Sequence, residues 1–205
     1  IRERLAKANP QAYEPDLAAS YNNLAVLYYE SQRFQESESM HKSALAIYER
    51  LAKSNPQAYE PALAHSYNNL GNLYSDTQRF QESEAMYKSA LAIRERLAKS
   101  NPQAYEPVLA RSYNNLANLY NVTHRFQESE AMYKSALAIY ERLAKSNPQA
   151  YEPDLATSYN NLAVLYYETL RFKESEAMHK SALAIRERLA KANPQAYEPD
   201  LARSY

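Results

Sequence analysis

Four histidines, His41, His65, His124 and His179, are the side chains of this 205-residue chain best suited to proton transfer or metal binding near neutral pH. No two stand at HxxxH spacing, and none joins carboxylates in a pattern that would make a metal triad. There is no cysteine, hence no thiolate ligand and no disulfide framework. Serines are plentiful, but a nucleophile elbow needs glycines around its sharp turn, and the chain has one glycine, Gly71. The same scarcity removes glycine-rich phosphate loops and dinucleotide fingerprints. Glutamates stand four residues before lysines (Glu38/Lys42, Glu49/Lys53, Glu84/Lys88, Glu95/Lys99). That spacing makes intrahelical ion pairs on a solvated face, not an acid/base pair in an apolar pocket. What remains is amide chemistry. Asparagine pairs recur at Asn22/Asn23, Asn68/Asn69, Asn114/Asn115 and Asn160/Asn161. An asparagine side chain offers donors and an acceptor together, so a row of them can hold the N–H and C=O groups of an extended peptide without reading its sequence. Recognition is the chemistry this predicts; no catalytic residue, metal ligand or cofactor is assigned.

The asparagines are positioned by a repeat. The segment RLAKSNPQAYEP ends at Pro61, Pro107 and Pro153, and close variants end at Pro15 and Pro199, 46 residues apart each time. Four full repeats result, 16–61, 62–107, 108–153 and 154–199, flanked by partial ones at 1–15 and 200–205. All ten prolines lie in the NPQAYEP segment, and the rest of each repeat is free of them, as helices require. Each repeat carries two helical patterns. The first is predicted from Pro15, a residue suited to the first helical position, to Glu30, with Tyr21, Leu24, Ala25 and Tyr28 forming one apolar stripe. The second is predicted from Phe34 to Lys53 and ends at the Asn55-Pro56 pair. A two-helix unit of this size cannot bury its stripe alone, whereas stacked units cover one another. The predicted fold is all-α, an α-solenoid of antiparallel helix pairs.

These residues resemble the tetratricopeptide repeat. The signature reads, in repeat two, Tyr67, Leu70, Gly71, Tyr74, Ser83, Tyr87 and Ala90, with a proline after the second helix. Small residues at the third and fifth positions let the two helices approach closely. Alanine stands for the glycine at Ala25, Ala117 and Ala163, and serine for the family's alanine at Ser37, Ser83, Ser129 and Ser175. The usual turn glycine is Gln32, Gln78, His124 or Leu170, which predicts a tighter or differently wound turn. His41 and His179 replace the signature tyrosines Tyr87 and Tyr133, which predicts packed, hydrogen-bonded substitutes. The strings YNNLAxLY, RFxExE and KSALAI are similar to the kinesin light chain subtype, lengthened here by the four residues QAYE. The resemblance covers the whole chain as one array, residues 1–205, and implies a right-handed superhelix that binds proteins. It implies nothing about transport.

In the resembled family the first helix of each unit lines the concave face. At about 100° per residue, the positions opposite the stripe are those of Ala19, Asn23, Val26 and Glu30. The first row then reads Ala19, His65, Arg111, Thr157 and Arg203, and the second Asn23, Asn69, Asn115 and Asn161. The third reads Val26, Asn72, Asn118 and Val164, and the fourth Glu30, Asp76, Val122 and Glu168, with Tyr29, Ser75, Asn121 and Tyr167 beside them. The candidate peptide-binding residues are Asn23, Asn69, Asn115, Asn161, Asn72, Asn118, His65, Arg111, Tyr29, Tyr167, Glu30 and Asp76. Repeats two and three differ at seven positions, among them His65/Arg111, Ser75/Asn121 and Asp76/Val122 on these rows. The Asn22 row lies to one side, where it can orient neighbouring repeats. The family's carboxylate clamp for acidic C-terminal tails needs lysine and arginine here, and only Arg111 and Arg203 qualify. Glu30 and Asp76, edged by Tyr29 and Tyr167, suit a peptide with basic or apolar side chains instead.

Twenty-four basic residues balance 24 acidic ones, so the electrostatic footprint of a nucleic-acid binder is absent. No apolar run reaches the roughly 18–20 residues of a bilayer span and no signal peptide opens the chain, which predicts no membrane partner and a cytoplasmic location. The function expected is a non-catalytic protein–protein interaction scaffold that takes an extended peptide or partner helix in its concave groove. The alternative is a structural or regulatory array: the sensor part of a larger signalling protein, or a self-assembling or engineered scaffold. Residues 1–9 read as a bare second-helix tail and 201–205 as a broken first helix, neither with a polar cap, so this alternative includes end-to-end self-association.

Overall fold

Asparagine and proline side by side start each long first helix. In the computed structural model, which describes residues 1–202, the Asn9 carboxamide accepts a hydrogen bond from the Ala12 N–H at 3.3 Å. Pro10 takes the first helical position, where its missing N–H would have found no partner. Asn55, Asn147 and Asn193 cap in the same way. The first helix therefore begins at Pro10, not at Pro15 as the sequence predicts. Pro15 lies inside it and forgoes one internal hydrogen bond, while the cap and the Glu14–Arg50 ion pair hold the added turn. Glu60–Arg96 at 2.7 Å, Glu106–Arg142 at 2.8 Å and Glu152–Arg188 at 2.6 Å repeat that pair, so the glutamate of QAYE ties the start of each first helix to the second helix.

The described helices are α1 (Arg2–Ala8), α2 (Pro10–Glu30), α3 (Phe34–Ser54), α4 (Pro56–Asp76), α5 (Phe80–Ser100), α6 (Pro102–Val122), α7 (Phe126–Ser146), α8 (Pro148–Glu168), α9 (Phe172–Ala192) and α10 (Pro194–Ala202). Two 21-residue helices, a three-residue turn and one asparagine make up the 46-residue period. The helices fall into two compact units, Ile1–Pro102 and a second that begins at Gln103. In the first, α2 packs on α3, α3 on α4 and α4 on α5; in the second, α7 packs on α8, α8 on α9 and α9 on α10. Consecutive long helices run antiparallel, as predicted. Arg203 lies outside the described residues.

The interhelix turn differs from expectation. The Tyr28 carbonyl accepts from the Arg33 N–H at 2.8 Å and the Tyr29 carbonyl from the Gln32 N–H at 2.9 Å, the two bonds of a Schellman motif. Gln32 has φ 59°, Gln78 59°, His124 57° and Leu170 61°, so these side chains sit where a glycine would, in the left-handed region. The turn keeps its ordinary winding at a strain of about 1–2 kcal/mol per residue. The following arginine folds back: the Arg33 guanidinium carbon lies 4.2 Å from the Tyr28 ring centroid, and Arg79, Arg125 and Arg171 lie 4.1 Å from Tyr74, Tyr120 and Tyr166.

Within each helix pair the close approach is sealed by a serine. The buried Ser37 hydroxyl donates to the Ala25 carbonyl at 2.8 Å, Ser83 to Gly71 at 2.8 Å, Ser129 to Ala117 at 2.9 Å and Ser175 to Ala163 at 2.8 Å. Serine replaces alanine in this chain because its oxygen finds an acceptor where a buried hydroxyl must have one. Between repeats, Asn22 Nδ2 donates to Ser66 Oγ at 2.9 Å and Asn114 Nδ2 to Ser158 Oγ at 3.2 Å, so these two asparagines tie one repeat to the next within each unit.

The charges are not all a solvated face. Glu38/Lys42 does pair, at 2.7 Å, but the Glu38 carboxylate also takes Arg79 Nη1 at 2.6 Å and the Tyr74 hydroxyl at 3.0 Å from the next repeat. Glu130 repeats this with Lys134, Arg171 and Tyr166. Burial alone would raise the Glu38 carboxyl; the bonds from Arg79, Lys42 and Tyr74 overcome it and hold it at about 2, and Glu130 likewise. Glu49 binds the Tyr67 hydroxyl at 2.6 Å in place of the predicted pair with Lys53. That hydroxyl is pushed up by burial and then by the carboxylate it faces.

Candidate functional site

All four predicted rows lie on the outward face of the first helices, with no member buried among the described residues. What distinguishes them is how many of their polar atoms are already spent. Asn72 Oδ1 accepts from the Tyr87 hydroxyl at 2.8 Å, and Asn118 Oδ1 accepts from the Tyr133 hydroxyl, so the third row serves its own repeat. The Tyr29 hydroxyl donates to Asp76, and Asn121 Nδ2 to Glu168 at 2.7 Å, each one repeat onward. Arg111 stands 3.5 Å from Asp154. Tyr167, 63% exposed, leans edge-on against Phe172 with centroids 5.7 Å apart, and Tyr29 against Phe34 at 5.9 Å.

The second row runs from the exposed Asn23 to three half-buried asparagines, Asn69, Asn115 and Asn161. Asn69 Nδ2 lies 3.2 Å from His65 Nε2. His65 keeps an exposed edge, yet the protein around the rest of its ring, and then the charge of Arg94, lower its pKa.

In the first unit, α2, α3 and α4 enclose a depression of 220 Å³ lined by Val26, Tyr29, Glu30, His41, Asn69 and Asn72. Four of these, Tyr29, Glu30, Asn69 and Asn72, are predicted site residues brought together from two repeats. His41 is the residue sequence reasoning placed elsewhere. It is packed, as expected for a tyrosine substitute, at 3% exposure, with Nδ1 3.1 Å from Asn22 Oδ1. Burial, with His65 adding to it, pushes its pKa down to about 4, so the ring is neutral at neutral pH. His179, its counterpart on α9, is exposed, contrary to the prediction. The described part of α10 is nine residues long and does not cover it as α4 covers His41. The signal that could have found the depression is a pairing within the sequence: asparagine accompanies tyrosine at Asn72/Tyr87 and Asn118/Tyr133, whereas valine accompanies histidine at Val26/His41 and Val164/His179.

Among the described residues no group of histidines, cysteines and carboxylates could hold a metal ion, and no helix is long and apolar enough to cross a membrane.

The fold has solved counterparts. BtubC (BKLC) from P. vanneervenii, a kinesin light chain-like structural neighbour, superposes with a TM-score of 0.76 at 28% identity, over 99% of this chain and 74% of that one. Aspartyl phosphate phosphatase F from Bacillus subtilis gives 0.68 at 17% identity over 84% of this chain and 41% of the other. The apo form of RapI gives 0.69 at 14% identity, over 86% and 58%. These two likenesses speak for the fold alone. No curated protein matches the chain in sequence. The tetratricopeptide repeat profile matches residues 16–96 and 108–188, most of the chain. Family, helix pairing and signature positions agree: the chain belongs to the tetratricopeptide repeat family, whose members are generally protein-interaction scaffolds and typically non-catalytic.

Proposed function

We propose that the chain is a non-catalytic scaffold that binds an extended peptide or a partner helix along the outward face of its first helices. The polar row is Asn23 and Asn69 in the first unit and Asn115 and Asn161 in the second. The observation that carries this reading is the depression on that face, which gathers Tyr29, Glu30, Asn69 and Asn72 beside a buried imidazole. The division of labour among the asparagines supports it: Asn22, Asn72, Asn114 and Asn118 bond within the array, while Asn23 stays exposed one position away. An amide left open to solvent on a rigid helix can exchange water for the N–H and C=O of a peptide at little ordering cost.

The test is selection from a displayed random-peptide library, with the enriched peptides titrated against the parent and an Asn69→Ala/Asn115→Ala variant. At least tenfold weaker binding by a variant of unchanged helicity is expected. Unchanged affinity removes the asparagine row from the mechanism, and failure to enrich any peptide removes the peptide groove.

A further inference from the structure

Tyr87 and Tyr133 reach across their helix pairs and donate to Asn72 and Asn118, which fills the space between the helices with a hydroxyl–amide bond. In repeat one the same two positions are His41 and Val26. Histidine is shorter, and valine has no oxygen to meet it. The imidazole turns inward to Asn22, and the space a tyrosine would fill is left as the 220 Å³ depression. That is below the roughly 300–1,000 Å³ of a small-molecule site, and fits one side chain.

Its polarity is one-sided. Glu30 is exposed and makes no hydrogen bond or ion pair among the described residues. Asp76 lies just beyond, bonded to the Tyr29 hydroxyl, and adds a second negative charge. Asn22 sends its Nδ2 to Ser66, so its Oδ1 accepts the Nδ1–H of His41, which leaves Nε2 of a neutral ring as an acceptor. Val26, 41% exposed, and the Tyr29 ring supply an apolar wall.

From this geometry we infer that the depression receives one basic side chain, arginine or lysine, of the bound peptide. Its stem lies against Val26 and Tyr29 and its charged end on Glu30, with His41 Nε2 as the second acceptor. The peptide context rests on the function proposed above; the pocket does not. Repeat two cannot offer the same seat, because the Tyr87–Asn72 bond closes it. Repeat four carries the same half-site in Val164, Tyr167, Glu168 and His179, but there Glu168 already takes the Asn121 amide.

N-acetyl-arginine methylamide, N-acetyl-lysine methylamide and the neutral isostere N-acetyl-citrulline methylamide serve as probes. Each is titrated into isotope-labelled protein and read at the Asn69 and Asn72 side-chain amides and the His41 ring. Saturable shifts at those resonances are expected with the arginine or lysine probe and at least tenfold weaker ones with citrulline. Glu30→Gln should weaken the basic probe at least tenfold. Val26→Asn/His41→Tyr should abolish its binding while the fold holds, since that pair packs in repeats two and three. Equal binding of citrulline, or an undiminished response in Glu30→Gln, overturns the inference. The peptide selection separates the two ideas. Enriched peptides that bind without any basic residue leave the groove standing and refute the pocket; a basic probe that binds while no peptide enriches does the reverse.

Discussion

Two carboxylates, Glu38 and Glu130, should make the stability of the array fall on acidification in a way that can be traced to them. Each is held at about 2, against an ordinary 4.5, by an arginine and a tyrosine from the next repeat and a lysine from its own helix. A folded-state pKa below the unfolded one means the stabilisation is fully present above about pH 5 and is lost as the pH falls through 2. The gap corresponds to about 3 kcal/mol per carboxylate. The Glu38 side chain is 19% exposed, but Lys42 and Arg79 are each more than a third exposed, so screening reduces this to about 1–2 kcal/mol. The comparison is between the parent and Glu38→Gln/Glu130→Gln, which keeps the shape of both side chains and removes their charge. Urea unfolding followed by circular dichroism at steps from pH 7 to pH 2 should show a difference of about 2–4 kcal/mol at neutrality that shrinks towards zero at pH 2. A difference that does not change with pH would mean that packing, not charge, is what the glutamine disturbs. No difference at pH 7 would mean that these bonds merely replace equally good ones to water.

Two further substitutions test the backbone. Leu170→Gly and Gln78→Gly should each raise stability by about 0.5–1 kcal/mol, the left-handed strain relieved less the entropy glycine adds to the unfolded chain; thermal or urea unfolding checks this, and a loss would show that the side chains at φ near 60° are held by contacts worth more than the strain. Gly71→Ala brings a Cβ to 2.6 Å from Tyr87 Cδ1, yet Ala117 packs in one cluster with Tyr133 while the bond to Asn118 is kept. The ring should therefore yield and the helix gain up to about 1 kcal/mol, and a measured loss above about 1 kcal/mol would show that repeat two cannot make that adjustment.

The fold was legible because two strong signals agree: prolines confined to one segment and apolar residues three and four apart elsewhere. The second helix ends within a residue of its predicted boundary for that reason. The first helix starts earlier than its apolar pattern predicts because Asn55-Pro56 is both a stop and a start: the asparagine side chain caps the next helix and the proline ring takes its first position. The turn departs from expectation because a Schellman motif is closed by backbone groups, which any residue has, so glycine's absence alters the strain and not the path. The Glu38 network was hidden for a different reason. Its partners, Tyr74 and Arg79, lie 36 and 41 residues away, and only the packing of α4 on α3 brings them to it.

Every described member of the candidate rows is exposed or half-buried, but variation along them does not by itself point to a ligand. His65 becomes Arg111 between repeats two and three, and on the second helix Arg94 becomes Tyr140. Those positions are neighbours: the Arg94 charge acts on His65, and Tyr140, 1% exposed, stands by Arg111. Ala19/Tyr48, His65/Arg94, Arg111/Tyr140 and Thr157/Arg186 each contain at most one arginine, so two guanidinium groups never share the same partly buried place. Ser75/Asn121 yields to the same argument, since Asn121 does for Glu168 what Tyr29 does for Asp76. Once the differences that the array needs for itself are removed, repeat one is left with Val26, Glu30 and one nitrogen of His41, none of which completes an internal bond. They fall in a single depression, and the case for a ligand rests on that coincidence of place.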